Sequence, residues 1–299
     1  MSRLYNKLAY EKERMRLRFN RVVYSVFRKP QVKDIDATLD IILSRRASIA
    51  RYGDGEFDII FGRHETFQSG GKKLVKRLKE VLKANAESDT FLVGIPDCYG
   101  DLSHFIPEAQ LHWKIRLDKE RFKWYRILNR KHPYCQSQIS RFYHDWADKS
   151  RSPLWASKLK KIWENRNVLI VEGKQTRMGV GNDLFEKSKS VRRILCPSVN
   201  AFEKYDKILD CIIENAVADD LILMALGPTA SILAYDLHNK GFQAVDIGHV
   251  DLEYEWMKMG AKDKVRIPGR FMNELDGGEY VDNSAIDCTY LDQIISEII

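Results

Sequence analysis

No stretch of the chain approaches the roughly eighteen consecutive apolar residues of a membrane span, and the first residues lack a secretory leader's apolar core. Cysteine is sparse and unpatterned. Cys98, Cys135, Cys196, Cys211 and Cys288 are odd in number and none stands in a C-x-x-C pair. That points to reduced thiols in a cytoplasmic protein, and away from a disulfide frame or a structural zinc site. Neither Gly-x-Gly-x-x-Gly nor a P-loop occurs, which excludes the standard dinucleotide and triphosphate cradles. Internal repeats and low-complexity linkers are missing too.

Net charge is also missing over most of the chain. Residues 1–30 hold nine of the 49 basic and two of the 42 acidic residues, a surplus of seven that equals the surplus of the whole protein. The remainder is neutral and has no basic excess with which to track a phosphate backbone, so a nucleic-acid partner is not indicated. The charged arm repeats apolar residues at helical spacing: Leu4, Leu8, Met15, Phe19, Val22 and Val26. A basic amphipathic helix of this kind suits the surface of an anionic membrane. It equally suits packing on the domain or a second subunit, with its charges solvated.

What is present from residue 31 onward reads as one α/β domain. At 44% hydrophobic and 30% charged residues over 299 positions, the composition is that of a globular protein. A helix over Asp36–Ser44 leads into a short buried strand at Ala47–Ala50. Lys72–Asn85 reads as a basic surface helix, and Thr90–Ile95 as a second strand. Residues 101–165 are mostly helical and dense in aromatics. They could stack on a sugar, but a crowded helical core is the simpler account. From Asn167 on, β-rich runs (Asn167–Glu172, Val191–Cys196, Leu221–Leu226, Ala244–Ile247) alternate with helical patterns beginning near Asn182, Ala201 and Pro228. That alternation predicts βαβ units and a parallel sheet. A polar segment then precedes a final amphipathic stretch, Tyr290–Ile299.

Four loops follow strands at what would be one sheet edge, where open α/β sheets bind ligands. The first is Arg51-Tyr-Gly-Asp-Gly-Glu-Phe57. Gly53 and Gly55 permit tight backbone, and Asp54 and Glu56 supply two hard oxygen donors suited to Mn²⁺ or Mg²⁺ together with phosphate. A solvated acidic turn would have the same letters. The second loop carries Arg177 and Gly179-Val-Gly-Asn-Asp183, expected to open a helix whose free N–H groups meet a phosphate or a base. The third is Gly227-Pro228-Thr229, with proline in a helix's first turn. The fourth, Gly248–Trp256, holds His249, Asp251, Glu253 and Glu255. If Asp251 caps the helix, Glu255 lies one turn along the same face. A histidine there could take a proton from a substrate hydroxyl, or be purely structural.

In this order the four motifs resemble the GT-D type glycosyltransferases, a family first catalogued as a domain of unknown function in bacterial surface-glycan loci. The resemblance covers residues 35 to 260. It implies a Rossmann-like parallel sheet with helices on both faces, in a single domain (31–299) behind the basic helical arm (1–30). It also implies transfer from a nucleotide sugar, UDP-linked, to a glycan or lipid-linked glycan acceptor, in the cytoplasm or at the inner face of the membrane. On that pattern Asp54 and Glu56 hold the metal. Arg51, Gly53, Arg177, Gly179, Gly181, Asn182, Asp183, Gly227, Pro228 and Thr229 bind the nucleotide sugar, and His249 or Glu255 activates the acceptor. Two other classes fit the same parts: a metal-dependent nucleotide-diphosphate hydrolase, and a non-catalytic scaffold of a glycan-assembly complex.

Overall fold

A computed structural model describes residues 2–65, 68–85, 88–272 and 288–299, with residues 2–10 described by their backbone alone. The side chains of Arg3, Leu4, Lys7 and Leu8, and most of the polar segment after Met272, therefore lie outside the described residues.

Eight strands form one sheet: β1 (Ser48–Arg51), β2 (Phe91–Ile95), β3 (Cys135–Gln136), β4 (Asn167–Gly173), β5 (Ser190–Cys196), β6 (Leu221–Ala225), β7 (Gln243–Asp246) and β8 (Ile294–Glu297). Their spatial order is β3-β2-β1-β7-β6-β4-β5-β8, and every pairing is parallel. Central strands such as β2 and β6 are short continuous apolar runs because both of their faces are covered.

Alternation along the strands divides the interior into two cores. Ile222 and Met224 of β6 face one; Leu221 and Leu223 face the other. The first core is closed by α3 (Asp54–Ile60), α4 (Lys72–Lys83), α5 (Pro107–Ile127), α7 (Tyr205–Asn215) and α8 (Pro228–Asn239). The second is closed by α2 (Ile35–Arg45), α6 (Ser152–Trp163) and α9 (Val250–Met259). Helix α2 starts where expected because Asp34 Oδ1 accepts the Ala37 N–H at 2.7 Å, and it ends with Arg46 in the left-handed region. Most aromatics of residues 101–165 are core. Trp124, Tyr134, Phe142 and Trp163 are fully buried, and Trp124 stacks on Phe57 of α3.

The N-terminal helix α1 (Ser2–Val26) lies along α5. Asn20 Nδ2 donates to the Asp118 carbonyl at 2.7 Å, and the Phe122 N–H donates to Asn20 Oδ1 at 3.0 Å. The closing stretch is a short helix, α10 (Cys288–Asp292), followed by edge strand β8. Among the described residues no helix is long and apolar enough to cross a membrane.

The helix expected near Asn182 does not form, and residues 174–189 are turns. Gly179 and Gly181 adopt φ of +73° and +78°, outside any right-handed helix, and the Asn182 side chain accepts the Leu184 N–H locally.

Candidate active site

All carboxyl ends of a parallel sheet emerge at one edge, and here they surround a cleft of about 600 Å³. Arg51, Gly53, Asp54, Glu56, Gly227, Asp246, His249 and Asp251 all line it. The acidic turn follows β1 directly and becomes the first turn of α3. Glu56 Oε2 accepts the Gly53 N–H at 2.7 Å, so the glutamate closes the helix start on itself. Burial, and then the charge of Asp246, push its carboxyl up to about 7. Asp54 behaves oppositely. Burial would raise it too, but the hydrogen bond from His112 and the charge of Arg116 outweigh that and hold it at about 2. His112 Nε2 stands 3.1 Å and Arg116 Nη2 3.6 Å from Asp54 Oδ2. One carboxylate is thus ionised at neutral pH, while its neighbour shares a proton with solvent.

Both side chains offer hard oxygens, and a divalent cation would favour the charged form of Glu56 that burial disfavours. Among the described residues no group of three or more His, Cys, Asp and Glu gathers as a ligand set. The pair therefore fits an ion such as Mg²⁺ or Mn²⁺ that completes its shell with phosphate and water oxygens.

Arg51 was expected to meet the nucleotide. Its guanidinium is instead committed to the fold: Nε to the Asp246 carbonyl at 2.8 Å, Nη1 to the Ser137 carbonyl at 3.0 Å, and Nη2 to Asp246 Oδ1 at 2.9 Å. It ties β1, β7 and the loop after β3 together beneath the cleft. A side chain at Gly248, whose φ is +38°, would collide with Nη2 of this arginine.

Helix α9 organises the opposite wall. His249, not Asp251, occupies the N-cap position, and its Nδ1 lies 3.4 Å from Arg141 Nη2. Asp251 instead accepts the Gly179 N–H at 2.9 Å, Asn182 Nδ2 at 2.8 Å and Arg270 Nε at 2.6 Å. Asn182 Nδ2 also reaches Glu255 Oε1 at 2.6 Å, so the predicted shared face of Asp251 and Glu255 exists, but Glu255 stands outside the cleft lining. Glu253 is fully buried; its Oε2 accepts the N–H groups of Tyr143 and His144, each at 2.8 Å, and so pins the loop that carries Gln138, Arg141 and His144 along the cleft.

In the glycine loop, Gly179 spends its N–H on Asp251. Gly181, Asn182 and Arg177 lie outside the lining. Asp183 sits further off, held by Lys160, Lys258 and Tyr254, whose hydrogen bonds take its carboxyl well below the usual range. Pro228 does open α8, but it and Thr229 are buried, and the amides of Thr229 and Ala230 turn back onto Leu226 and Gly227. What α8 offers the cleft is the positive end of its dipole, through Gly227.

Sequence reading missed His112, Arg116, Arg141, His144 and Asp246. The one available signal was spacing. Asp54 and Asp58 are four apart, as are His112 and Arg116, and Arg116 bonds Asp58 at 2.5 Å, so two matching helix faces meet.

Comparison with known proteins agrees with this architecture. The family model described as the glycosyltransferase GT-D fold matches residues 49–275. Glycosyltransferase GlyD of Streptococcus pneumoniae serotype 4 is 40% identical over 272 residues, which is 90% of this chain and 33% of GlyD. The chain thus spans about a third of that relative's length. A solved structure described as a new glycosyltransferase (DUF1792) from Streptococcus sanguinis superposes with a TM-score of 0.85 at 37% identity, covering 91% of this chain and 100% of the other. Another, described as the highly conserved domain of unknown function 1792 with a distinct glycosyltransferase fold, gives 0.87 at 36% identity, over 93% and 99% of the two chains.

Proposed function

The chain belongs to the glycosyltransferase GT-D fold family, and from that premise we propose that it transfers a sugar from a UDP-linked donor to a glycan or lipid-linked glycan acceptor in the assembly of a surface glycan. The observation that carries this reading is the meeting in one cleft of Asp54 and Glu56 with His249 and the start of α8.

Asp54 and Glu56 would hold Mn²⁺ or Mg²⁺, which when bound neutralises charge on the departing diphosphate. The chain's own residues do the rest. Arg141, Lys264 and the α8 dipole line the cleft with positive potential for the donor phosphates. His249 takes the proton of the acceptor hydroxyl as its oxygen bonds the sugar carbon and the nucleoside diphosphate leaves. Arg51 keeps Asp246 and the loop after β3 in register beneath these groups. Glu255 acts through Asn182, by steadying α9 against the glycine loop.

The test is a thermal-shift panel of nucleoside diphosphates with and without Mn²⁺, followed by product analysis with sugar acceptors. UDP with Mn²⁺ should raise the melting temperature of the wild type, and Asp54→Asn and Glu56→Gln should lose both that rise and turnover. Full turnover in excess chelator would overturn the metal assignment. Release of free sugar regardless of acceptor would replace transfer with hydrolysis.

A further inference from the structure

We propose that α1 and α5 together form a docking surface for an anionic lipid bilayer, set beside the cleft. The proposal deepens the lipid-linked acceptor reading above, on which its purpose rests, although the binding can be measured without it.

Helix α1 is fastened by one face only. Asn20 and Val23 are buried against α5, the Phe19 ring meets Phe122 edge-on at 5.0 Å between centroids, and Arg121 lies over the Tyr24 ring at 4.5 Å. With that face used, Met15, Phe19, Val22 and Val26 remain 50 to 70% exposed. Their spacing, i, i+4, i+7 and i+11, places them in one stripe. Helix α5 exposes a stripe of its own at Leu111 (58%), Ile115 (46%) and Phe122 (36%). The Phe19–Phe122 contact joins the two into one apolar surface across two helices lying side by side. Such continuous exposure on a water-facing protein marks an interaction site.

Charge selects the occupant. Arg14, Arg18 and Arg21 of α1 and Lys119, Lys123 and Arg126 of α5 are all exposed around the stripes. Of the nearby acids, Glu13 pairs with Arg16 at 2.5 Å and Glu11 with Arg14 at 3.8 Å, while Asp118, half-buried between Ile115 and Phe122, sets one negative charge within the α5 stripe against the cations around it. Apolar side chains at the centre with Lys and Arg around them match the acyl and headgroup layers of an anionic leaflet. A second copy fits worse, because a two-fold contact through this face would set one basic rim against the other. Location gives the surface its use. The α5 stripe begins at Leu111, and the next residue, His112, lines the cleft and bonds Asp54. A protein seated this way holds the rim of its cleft at the lipid surface, within reach of a sugar carried on a lipid.

The experiment is co-sedimentation of the full chain with phosphatidylcholine vesicles made with and without phosphatidylglycerol, at low and high salt. The wild type should bind only the anionic vesicles and release at high salt. Arg18→Glu with Arg21→Glu and Lys123→Glu should weaken binding at least tenfold, since each cation near such a surface contributes about fivefold. Val22→Ser with Val26→Ser and Leu111→Ser, all exposed and outside the helix contact, should weaken it similarly. Turnover on a soluble acceptor should stay unchanged in both sets. Equal binding to neutral vesicles, no binding to anionic ones, or wild-type binding by the charge-reversed variant would overturn the proposal. So would light scattering that showed a dimer dissolved by the same substitutions. Vesicle binding without sugar transfer would leave this surface standing and remove the function proposed above.

Discussion

Replacing Glu253 with glutamine probes how the cleft wall is held. The carboxylate is wholly enclosed; burial pushes it up to about 7 from an unfolded value of 4.5, against the opposing pull of Arg141 and the two loop N–H bonds. A folded-state value above the unfolded one means that the folded protein holds this proton more tightly. The stability it contributes is full below about pH 4.5 and is lost as pH rises through about 7. At about 1.4 kcal/mol per pH unit, the whole change is about 3 kcal/mol. Glutamine can keep an oxygen facing the Tyr143 and His144 N–H groups while having no proton to lose. It places an amide where Glu253 Oε1 finds no partner among the described residues, which adds a pH-independent cost. Urea unfolding of wild type and Glu253→Gln at intervals from pH 4.5 to 8.5 separates the two effects. The offset appears at low pH, and the gap should then move by about 3 kcal/mol in the variant's favour across the interval. Glu56 also titrates near 7, but it is present in both proteins and cancels in the difference. Parallel curves, or a gap that moves the other way, would refute the assignment of a buried ionising carboxylate as the clamp of this loop.

His249→Ala should reduce kcat roughly 10²–10⁴-fold while leaving the Mn²⁺-dependent affinity for UDP within a few-fold, as measured by steady-state kinetics and calorimetry. Mn²⁺ must displace the proton of Glu56, so metal affinity should fall as pH drops below about 7, with proton release visible as buffer-dependent heat; a pH-independent affinity would remove Glu56 from the ligand set. Gly248→Ala forces a side chain into Arg51 from a left-handed backbone and should cost on the order of 1–3 kcal/mol in urea unfolding; an unchanged unfolding midpoint would show that Arg51 yields without loss of its bonds.

How much of this was legible in the letters depended on whether local chemistry decided it. Thr90–Ile95 and Leu221–Leu226 announced themselves because a strand buried on both faces must be apolar throughout, and Pro228 marks a helix start because it has no N–H to leave unpaired; Asp34, the actual cap of α2, was passed over for Asp36. The acidic turn stood out because it sets two carboxylates and two glycines in seven residues directly after a strand, and the structure places both carboxylates on the cleft. Partnership across the chain was not legible. Arg51 looks like a phosphate ligand until Asp246, 195 residues away, occupies it. Asp251 looks like a helix cap until Gly179, Asn182 and Arg270 converge on it. His112 and Arg116 were hidden in an aromatic helix whose inner face carries Trp113 and Trp124. The helix drawn at Asn182 failed for a related reason, since its polar letters serve α9 rather than a turn of their own.

The position of β7 between β1 and β6 sets a timetable for the chain. Residues 48–136 can pair β1, β2 and β3 early, and β4 to β6 form a second block, but the sheet becomes continuous only when β7 emerges between them and Asp246 meets Arg51. During synthesis the halves of the cleft are made at opposite ends of the process, and the nascent protein carries an unpaired β1 edge for nearly two hundred residues. Closure at that distance is slow and exposes strand edges meanwhile. The cleft is therefore among the last features to exist, and a chain released before its α9 segment emerges has the acidic turn and the Arg141 loop without His249.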